Sequence, residues 1–223
     1  MAKPDTSQRK MTPGPNKILK IPVTGNLIKI HTIGSGNTFG ARLWTDGKME
    51  APMMPDIPLI RRHPDTGEVF WCDECEEVAS EDPFRKESKY AEVPYAGEVG
   101  DTELEAELDS ESLTPDKERY VRIRLWWLWN DQEREGKNKT DRAEGFCSNL
   151  RRLVDLLDEN EPDTRLMAAE GLRELGEHER AADLLNHDFP EDFSHPVEVI
   201  RKANEDGDVR VQEIAEEADD DSK

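Results

Sequence analysis

The stretch TPDKERYVRIRLWWLWND, residues 114–131, marks the change from extended to helical patterning in this chain of 223 residues. Thr114 supplies a capping hydroxyl, Pro115 suits the first helical position, and the acidic first turn suits the positive end of the helix dipole. Residues 121–125 also alternate as a strand would, but the start signals and the length favour a helix. We predict a helix from Thr114 to about Asn130.

Downstream of this helix, apolar residues recur at helical spacing as far as residue 216. The clearest segment begins with a capping box formed by Asp141 and Glu144. Gly176 is expected to end the next helix, because glycine favours the left-handed backbone found after helix ends. The predicted starts of the five downstream helices are Asp141, Pro162, Glu179, Ser194 and Asp208.

Upstream of residue 80, short apolar runs are separated by turn residues. The runs LIKIHTI (27–33) and FGARLW (39–44) predict strands of a small meander. Three prolines in MEAPMMPDIPLI (49–60) forbid a helix and favour an extended path. The runs PLIRR and EVFWC, on either side of HPDTG (63–67), predict a hairpin.

These patterns predict an α+β protein with a small β-rich, ribbon-like N-terminal unit packed on a bundle of about five or six helices. Residues 1–24 are rich in proline and predict an irregular arm. The β-rich unit spans 25–80 and the helical domain 114–216. Residues 81–113 form an acidic connector with a short helix near 102–108, and 217–223 form an acidic tail.

The chain carries 51 acidic and 30 basic residues, which gives a net charge of -21. Such a surface repels phosphate groups, so direct binding to nucleic acid or to an anionic membrane is disfavoured. An alternative use of this charge is to imitate nucleic acid or to occupy a basic site of a partner. No apolar run reaches about 18 residues, and MAKPDTSQRK lacks the apolar segment of a signal peptide, so we expect a cytoplasmic protein.

A single CxxC pair, Cys72 and Cys75, is the strongest sign of a metal site. A structural zinc ion needs four ligands, and the nearest third candidate is His63. The pattern leaves two interpretations, of which the first is a metal-free hairpin held by the aromatic residues of its second strand, with no cofactor. The alternative is a zinc site of His63, Cys72 and Cys75, with water or Asp65 as the fourth ligand.

The same segment resembles a zinc-ribbon hairpin, in which a CPxCG knuckle precedes an aromatic strand. Here the knuckle reads His63, Pro64, Asp65, Thr66 and Gly67, so that histidine and threonine replace its two cysteines. The resemblance implies a ribbon-like hairpin with a degenerate metal site.

Three of the five tryptophans, Trp126, Trp127 and Trp129, lie within one turn of the predicted helix. Aromatic residues at this density are mostly anchors of cores and interfaces. One interpretation is that they join the β unit to the helices. The other is that some remain exposed as a site for a protein partner, because these positions span too wide an arc for one buried stripe.

The stretch LRELGEHERAADLL, residues 172–185, resembles the turn between the two helices of a tetratricopeptide repeat. Leu172, Leu175, Gly176 and either Ala181 or Ala182 match its leucine, glycine and small packing positions. The match covers about one repeat, with no second copy at a period of about 34 residues. The resemblance implies a helical hairpin of a class that binds protein segments.

The order of segments also resembles an uncharacterised bacterial protein family that joins WTDGK, MxPDxPxL, a ribbon-like hairpin, a tryptophan-rich helix ending in ND, and an LRELG helix pair. These segments span most of residues 40–215. The resemblance implies no activity.

No histidine stands in a recognisable nucleophile motif, so we expect no catalysis. The leading hypothesis is a non-catalytic protein-interaction module. The alternatives are a zinc-stabilised or zinc-dependent protein that uses His63, Cys72 and Cys75, and an acidic inhibitor that mimics nucleic acid.

Overall fold

The computed structural model describes residues 11–85, 87–111, 113–136 and 144–214. Its contacts divide into two units. The β unit contains the described residues up to Ala41 together with Glu50–Gly100, and the helical unit contains Arg42–Met49 together with the described residues from Asp101 onward. The fold is α+β, as the sequence predicted.

Within the described residues, the strands are β1 (Thr12–Pro13), β2 (Asn16–Lys20), β3 (Leu27–Ile30), β4 (Ile33–Ser35), β5 (Arg42–Trp44), β6 (Met49–Glu50), β7 (Ile60–Arg62), β8 (Val69–Trp71), β9 (Glu76–Glu81) and β10 (Glu213–Ile214). The α-helices are α1 (Asp101–Leu108), α2 (Pro115–Arg134), α3 (Glu144–Leu156), α4 (Pro162–Glu174), α5 (His178–Leu185) and α6 (Ser194–Glu205). Short 3₁₀ turns lie at Cys72–Glu74 and Glu191–Phe193.

Strand β2 is the centre of a three-stranded antiparallel sheet, with β3 on one side and β9 on the other. Leu19 of this strand packs with Ile21, Ile28 and Phe70 in the core of the β unit. The sequences of β2 (NKILK) and β9 (EEVASE) carry opposite charges, and Lys17 pairs with Glu77 at 2.8 Å. Cross-strand pairs of this kind favour the observed register.

The prediction that residues 1–24 form an irregular arm is wrong for the described part, which begins at residue 11, because Asn16–Lys20 form strand β2. Pro13, Pro15 and Pro22 lie outside β2, so they remove no hydrogen-bond donor from it. Strand β9 lies at the end of the predicted β-rich unit of 25–80 and overlaps the predicted connector only at Glu81. The prediction of a short helix near 102–108 is confirmed by α1.

The hairpin of β7 and β8 is confirmed, with Ile60 opposite Trp71 and Arg62 opposite Val69. Its HPDTG turn is closed by two backbone hydrogen bonds, from His63 N–H to the Glu68 carbonyl (2.8 Å) and from Gly67 N–H to the His63 carbonyl (2.9 Å). Gly67 has a φ of 75°, a conformation that glycine adopts at little cost.

The helical unit follows the predicted order through α6. Thr114 caps α2 by accepting a hydrogen bond from Lys117 N–H, and Gly176, with a φ of 76°, follows the end of α4. Ser194 is the first residue of α6 and makes no capping contact, so the prediction that it caps this helix is wrong. The predicted cap at Asp141 lies outside the described residues.

The core of the helical unit is formed by apolar residues of α2 to α6. It contains Trp126, Phe146, Leu150, Leu153, Val154, Leu157, Ala168, Ala169, Leu172, Ala181, Leu184, Leu185, Val197 and Ile200. In the part of the chain that the structure describes, no helix combines the length and the apolar character needed to cross a lipid bilayer.

The predicted helix from Asp208 is wrong, because Glu213–Ile214 form strand β10. This strand pairs antiparallel with β5, and Arg42 forms two hydrogen bonds with the Glu213 carboxylate (2.9 and 2.6 Å). The apolar spacing of 211, 214 and 215 fits a helix, but the strand partner lies about 170 residues earlier. Residues 42–49 consequently belong to the helical unit and not to the predicted unit of 25–80.

Gly14 provides a test of the ordered N-terminal strands. A Cβ atom at this buried position would lie 2.3 Å from Thr32 Oγ1 and 3.0 Å from the backbone nitrogen of Gly34. We expect Gly14→Ala to lower the free energy of unfolding by about 1–3 kcal/mol, because an added methyl group has no space there. Urea unfolding provides the measurement.

The matched control is Gly97→Ala in the same unit, where the nearest atom to the added Cβ is at 3.5 Å. This variant should be as stable as the parent chain or slightly more stable. Equal stability of Gly14→Ala and the parent would contradict the packed N-terminal strands.

Candidate functional site

His63 is buried in the β unit, where its side chain stabilises the hairpin turn. Its Nδ1 atom accepts hydrogen bonds from the backbone N–H groups of Asp65 (3.3 Å) and Thr66 (3.4 Å). These bonds occupy one ring nitrogen. The proline and glycine of HPDTG therefore shape a turn that the His63 side chain closes.

Cys72 begins the 3₁₀ turn that follows β8, Cys75 follows the end of that turn, and both are half-buried free thiols. Cys75 N–H donates to the Cys72 carbonyl at 3.4 Å, and the Cys75 thiol donates to the Trp71 carbonyl at 3.3 Å. Burial raises the pKa of Cys72 to about 11. Burial also raises the pKa of Cys75, and the carboxylates of Glu74 and Asp73 raise it further.

The predicted zinc ligands do not form a set within one chain. Among the described residues, no group of three or more His, Cys, Asp and Glu side chains is arranged to hold a metal ion. His63, Cys72 and Cys75 are therefore not brought together as the predicted three-ligand zinc site.

The three tryptophans of α2 have separate environments. Trp126 is fully buried and donates from Nε1 to Glu174 Oε2 at 3.0 Å, so it cannot contribute to an exposed partner site. Trp127 is half-buried, and its Nε1 donates to the Asp46 carbonyl at 3.0 Å. Trp129 is half-buried and packs against Phe146, with ring centroids 5.7 Å apart. These contacts all lie within the helical unit, so they make the tryptophans anchors of that unit and do not test whether they join it to the β unit.

Asp46, at the turn between β5 and β6, is the polar centre of the helical unit. Its side chain is fully buried and forms an ion pair with Arg134 of α2. Asp46 also accepts hydrogen bonds from Asn130 Nδ2 (2.9 Å) and from Lys48 N–H (3.1 Å). Burial raises the pKa of Asp46, and the Arg134 guanidinium opposes this rise.

Further contacts extend this network in both directions. Asn130 Nδ2 donates to Glu174 Oε1 at 3.0 Å, which links α2 to α4. Asp131 accepts from Arg134 Nη1 at 2.6 Å and pairs with Lys48 Nζ at 2.5 Å. The guanidinium of Arg134 also lies over the ring of Trp44, 4.9 Å from its centroid. We call Trp44, Asp46, Lys48, Trp126, Asn130, Asp131, Arg134 and Glu174 the Asp46 network.

A second buried ion pair holds the segment that leads into β10. Glu170 and Arg173 of α4 are fully buried and make two hydrogen bonds of 2.7 and 2.6 Å. Arg173 also donates to the backbone carbonyl of Arg210 (2.9 Å) and to that of Asp208. Burial alone would lower the pKa of Arg173, but the Glu170 carboxylate raises it.

The Asp46 network is suited to structure and not to chemistry on a substrate. Asp46, Trp126 and Glu174 are almost completely inaccessible, and their polar atoms contact other side chains of the network. The sequence analysis missed this cluster. The signal that could have found it is the acidic turn WTDGK together with the polar residues ND at the end of an aromatic helix.

A different surface is offered by the proline-rich segment Ala51–Leu59 of the β unit. Met54, Ile57 and Leu59 are 40, 37 and 44% exposed, although they fall within six consecutive residues. We call these three side chains the apolar ridge. The sequence analysis recognised the extended path of this segment but not its exposed apolar side chains.

The segment is attached to the β unit at several points. Ala51 and Pro58 are buried, and the Leu59 carbonyl accepts from Cys72 N–H at 2.7 Å. The Met53 carbonyl passes so close to Gly36 that a Cβ atom there would lie 2.1 Å from it. The apolar ridge is thus presented on a backbone that is anchored at both ends.

Comparison with known proteins found no match to the chain among family models, curated proteins or solved structures. The resemblances to a zinc ribbon, to a tetratricopeptide repeat and to a bacterial family therefore stay predictions.

The Asp46 network generates a stability prediction. We expect Asp46→Ala to lower the free energy of unfolding by about 3–5 kcal/mol, because it leaves the buried charge of Arg134 without its main partner. The double variant Asp46→Ala with Arg134→Met should recover part of this loss, since it leaves no buried cation. Urea unfolding of both variants gives the comparison.

Asp183→Ala is the control, because Asp183 is an exposed aspartate on α5 of the same unit. Its effect should stay within about 0.5 kcal/mol. An Asp46→Ala variant as stable as this control would show that the ion pair has no structural role.

Proposed function

We propose that the protein is a non-catalytic interaction module that binds a protein partner through the apolar ridge. The observation that carries the proposal is the exposure of Met54, Ile57 and Leu59 in one short segment of a strongly acidic chain. Scattered exposed apolar residues are normal, but a run of them on one segment is typical of a binding surface.

The backbone of the segment supports this role. Pro52, Pro55 and Pro58 restrict its conformations, and the contacts of Ala51, Met53 and Leu59 hold it in place. A surface that is already ordered loses little conformational entropy when it binds. Methionine in particular adapts its shape to different apolar partners.

The charge of the chain indicates the chemistry of the partner. With a net charge of -21, the protein attracts basic surfaces and repels phosphate backbones. The expected partner is therefore a protein with an apolar patch in basic surroundings, met in the cytoplasm, rather than nucleic acid. Electrostatic attraction of this kind raises association rates and weakens as salt is added.

The contacts of three histidines support a role without catalysis. His31 pairs with Asn16 (3.1 Å), His63 closes its own turn, and His178 pairs with Asn204 (2.8 Å). In each case the polar atom of the ring contacts an amide and not a nucleophile, whereas a general base needs a reacting hydroxyl or thiol within hydrogen-bond reach.

Site-specific photo-crosslinking in cells tests the proposal. A photoreactive amino acid at position 57 should give a defined crosslinked protein, which mass spectrometry identifies. Changing Met54 and Leu59 to serine in the same chain should abolish that product, because the partner loses its apolar contacts. A variant in which Met54, Ile57 and Leu59 are all changed to serine should also bind the purified partner with an affinity at least tenfold lower than that of the parent chain.

The control is the same photoreactive amino acid at position 23, since Val23 is an apolar residue of the same unit that is 91% exposed. It should give no such product. Equal products from positions 23 and 57, or crosslinks at 57 that survive the serine changes, would overturn the proposal.

A further inference from the structure

The two thiols of the CxxC pair share one turn of backbone. In a 3₁₀ turn, side chains three positions apart lie above one another on the same face. Cys72 begins such a turn, and Cys75 closes it with its N–H bonded to the Cys72 carbonyl at 3.4 Å. The two sulfur atoms can therefore bind one ion from the same side.

This turn is accessible at the surface of the β unit. Asp73, Glu74 and Glu76 are exposed, and the two thiols are half-buried against the apolar core. The apolar neighbours cover part of each cysteine, and both cysteines keep part of their surface accessible.

Within the described residues of one chain, this pair finds no further ligand. No third His, Cys, Asp or Glu side chain is arranged with it to bind a metal, and His63 Nδ1 is occupied by the hairpin turn. Cys147 packs against the core of the helical unit. Half of a four-thiolate site is thus present in each chain.

We propose that Cys72 and Cys75 from two copies of this chain bind one zinc ion as a four-thiolate site. A second copy supplies two thiolates in the same geometry, and a two-fold axis through the metal gives both copies identical environments. Zinc takes four cysteine ligands in a tetrahedron, which this arrangement completes. The four thiols release four protons to solvent as the four thiolates bind one Zn²⁺.

Charge sets the conditions under which this dimer forms. A zinc ion with four thiolates carries two negative charges, and Arg61, which interacts electrostatically with Cys72, supplies one positive charge from each copy. Asp73 and Glu74 of the two copies repel one another, and salt screens this repulsion. The dimer should therefore be sought at a salt concentration on the order of 0.3 M.

Zinc titration with measurement of molar mass tests the proposal. The purified full-length chain, kept reduced, should bind half an equivalent of zinc per chain while its mass by light scattering doubles from 25.5 kDa. A chelator should reverse both changes. The Co²⁺ form should show the absorption of a tetrahedral four-thiolate site, which excludes a histidine ligand.

Three variants complete the test. Cys72→Ser and Cys75→Ser should each weaken zinc binding at least a hundredfold and abolish the dimer, with circular dichroism showing that both still fold. Cys147→Ser should behave as the parent chain.

Four results would overturn the proposal. These are one zinc ion per monomer, absence of zinc binding, a dimer that forms without metal, and a doubled mass that is reversed by reductant alone. The proposal does not depend on the apolar ridge, and the serine variant of the ridge should still dimerise.

Discussion

The buried ion pair between Asp46 and Arg134 is the contact on which the helical unit depends. A buried charge is costly unless it is paired and hydrogen-bonded. The surrounding groups pair both ions and bond the Asp46 carboxylate, while Arg134 Nε has no hydrogen-bond partner among the described residues. Asn130 and the Lys48 backbone N–H donate further hydrogen bonds to Asp46. Asp131, which is partly exposed, forms an ion pair with Arg134. If the turn that carries Asp46 moved away from α2, the buried cation of Arg134 would lose its ion pair with the Asp46 carboxylate. For this reason, eight residues from the N-terminal half of the chain fold with the helices.

The order of helices could be predicted from the sequence because its signals are local. The capping hydroxyl of Thr114, the terminating Gly176 and the HPDTG turn each act within a few residues of themselves. The strands β2 and β10 could not be predicted in the same way. Their partners are distant in the chain, and the flanking prolines of β2 and the helical spacing near residue 211 gave competing local signals.

In the candidate sites, too, the residue types could be predicted from the sequence, but the contacts between distant residues could not. Residue types predicted Cys72 and Cys75 as metal ligands, but only the folded turn showed that His63 Nδ1 already accepts hydrogen bonds and that no further ligand joins the pair within the described chain. The tryptophans of α2 were recognised as anchors or contacts, and burial separates the two roles. Whether Met54 is exposed depends on which parts of the folded chain pack over it, and the local sequence does not show this.

Native-state hydrogen exchange tests most directly whether the Arg42–Met49 segment is an integral part of the helical unit. The amides of Trp44 and Thr45 donate to the carbonyls of Lys48 and Gln212, both at 2.9 Å. If the Asp46 network holds this segment, these amides open with the same free energy as the buried amides of α2 and α4, because they exchange only when the unit unfolds. Exchange at a much lower free energy than in α2, or together with the amides of β2 in the β unit, would contradict the account.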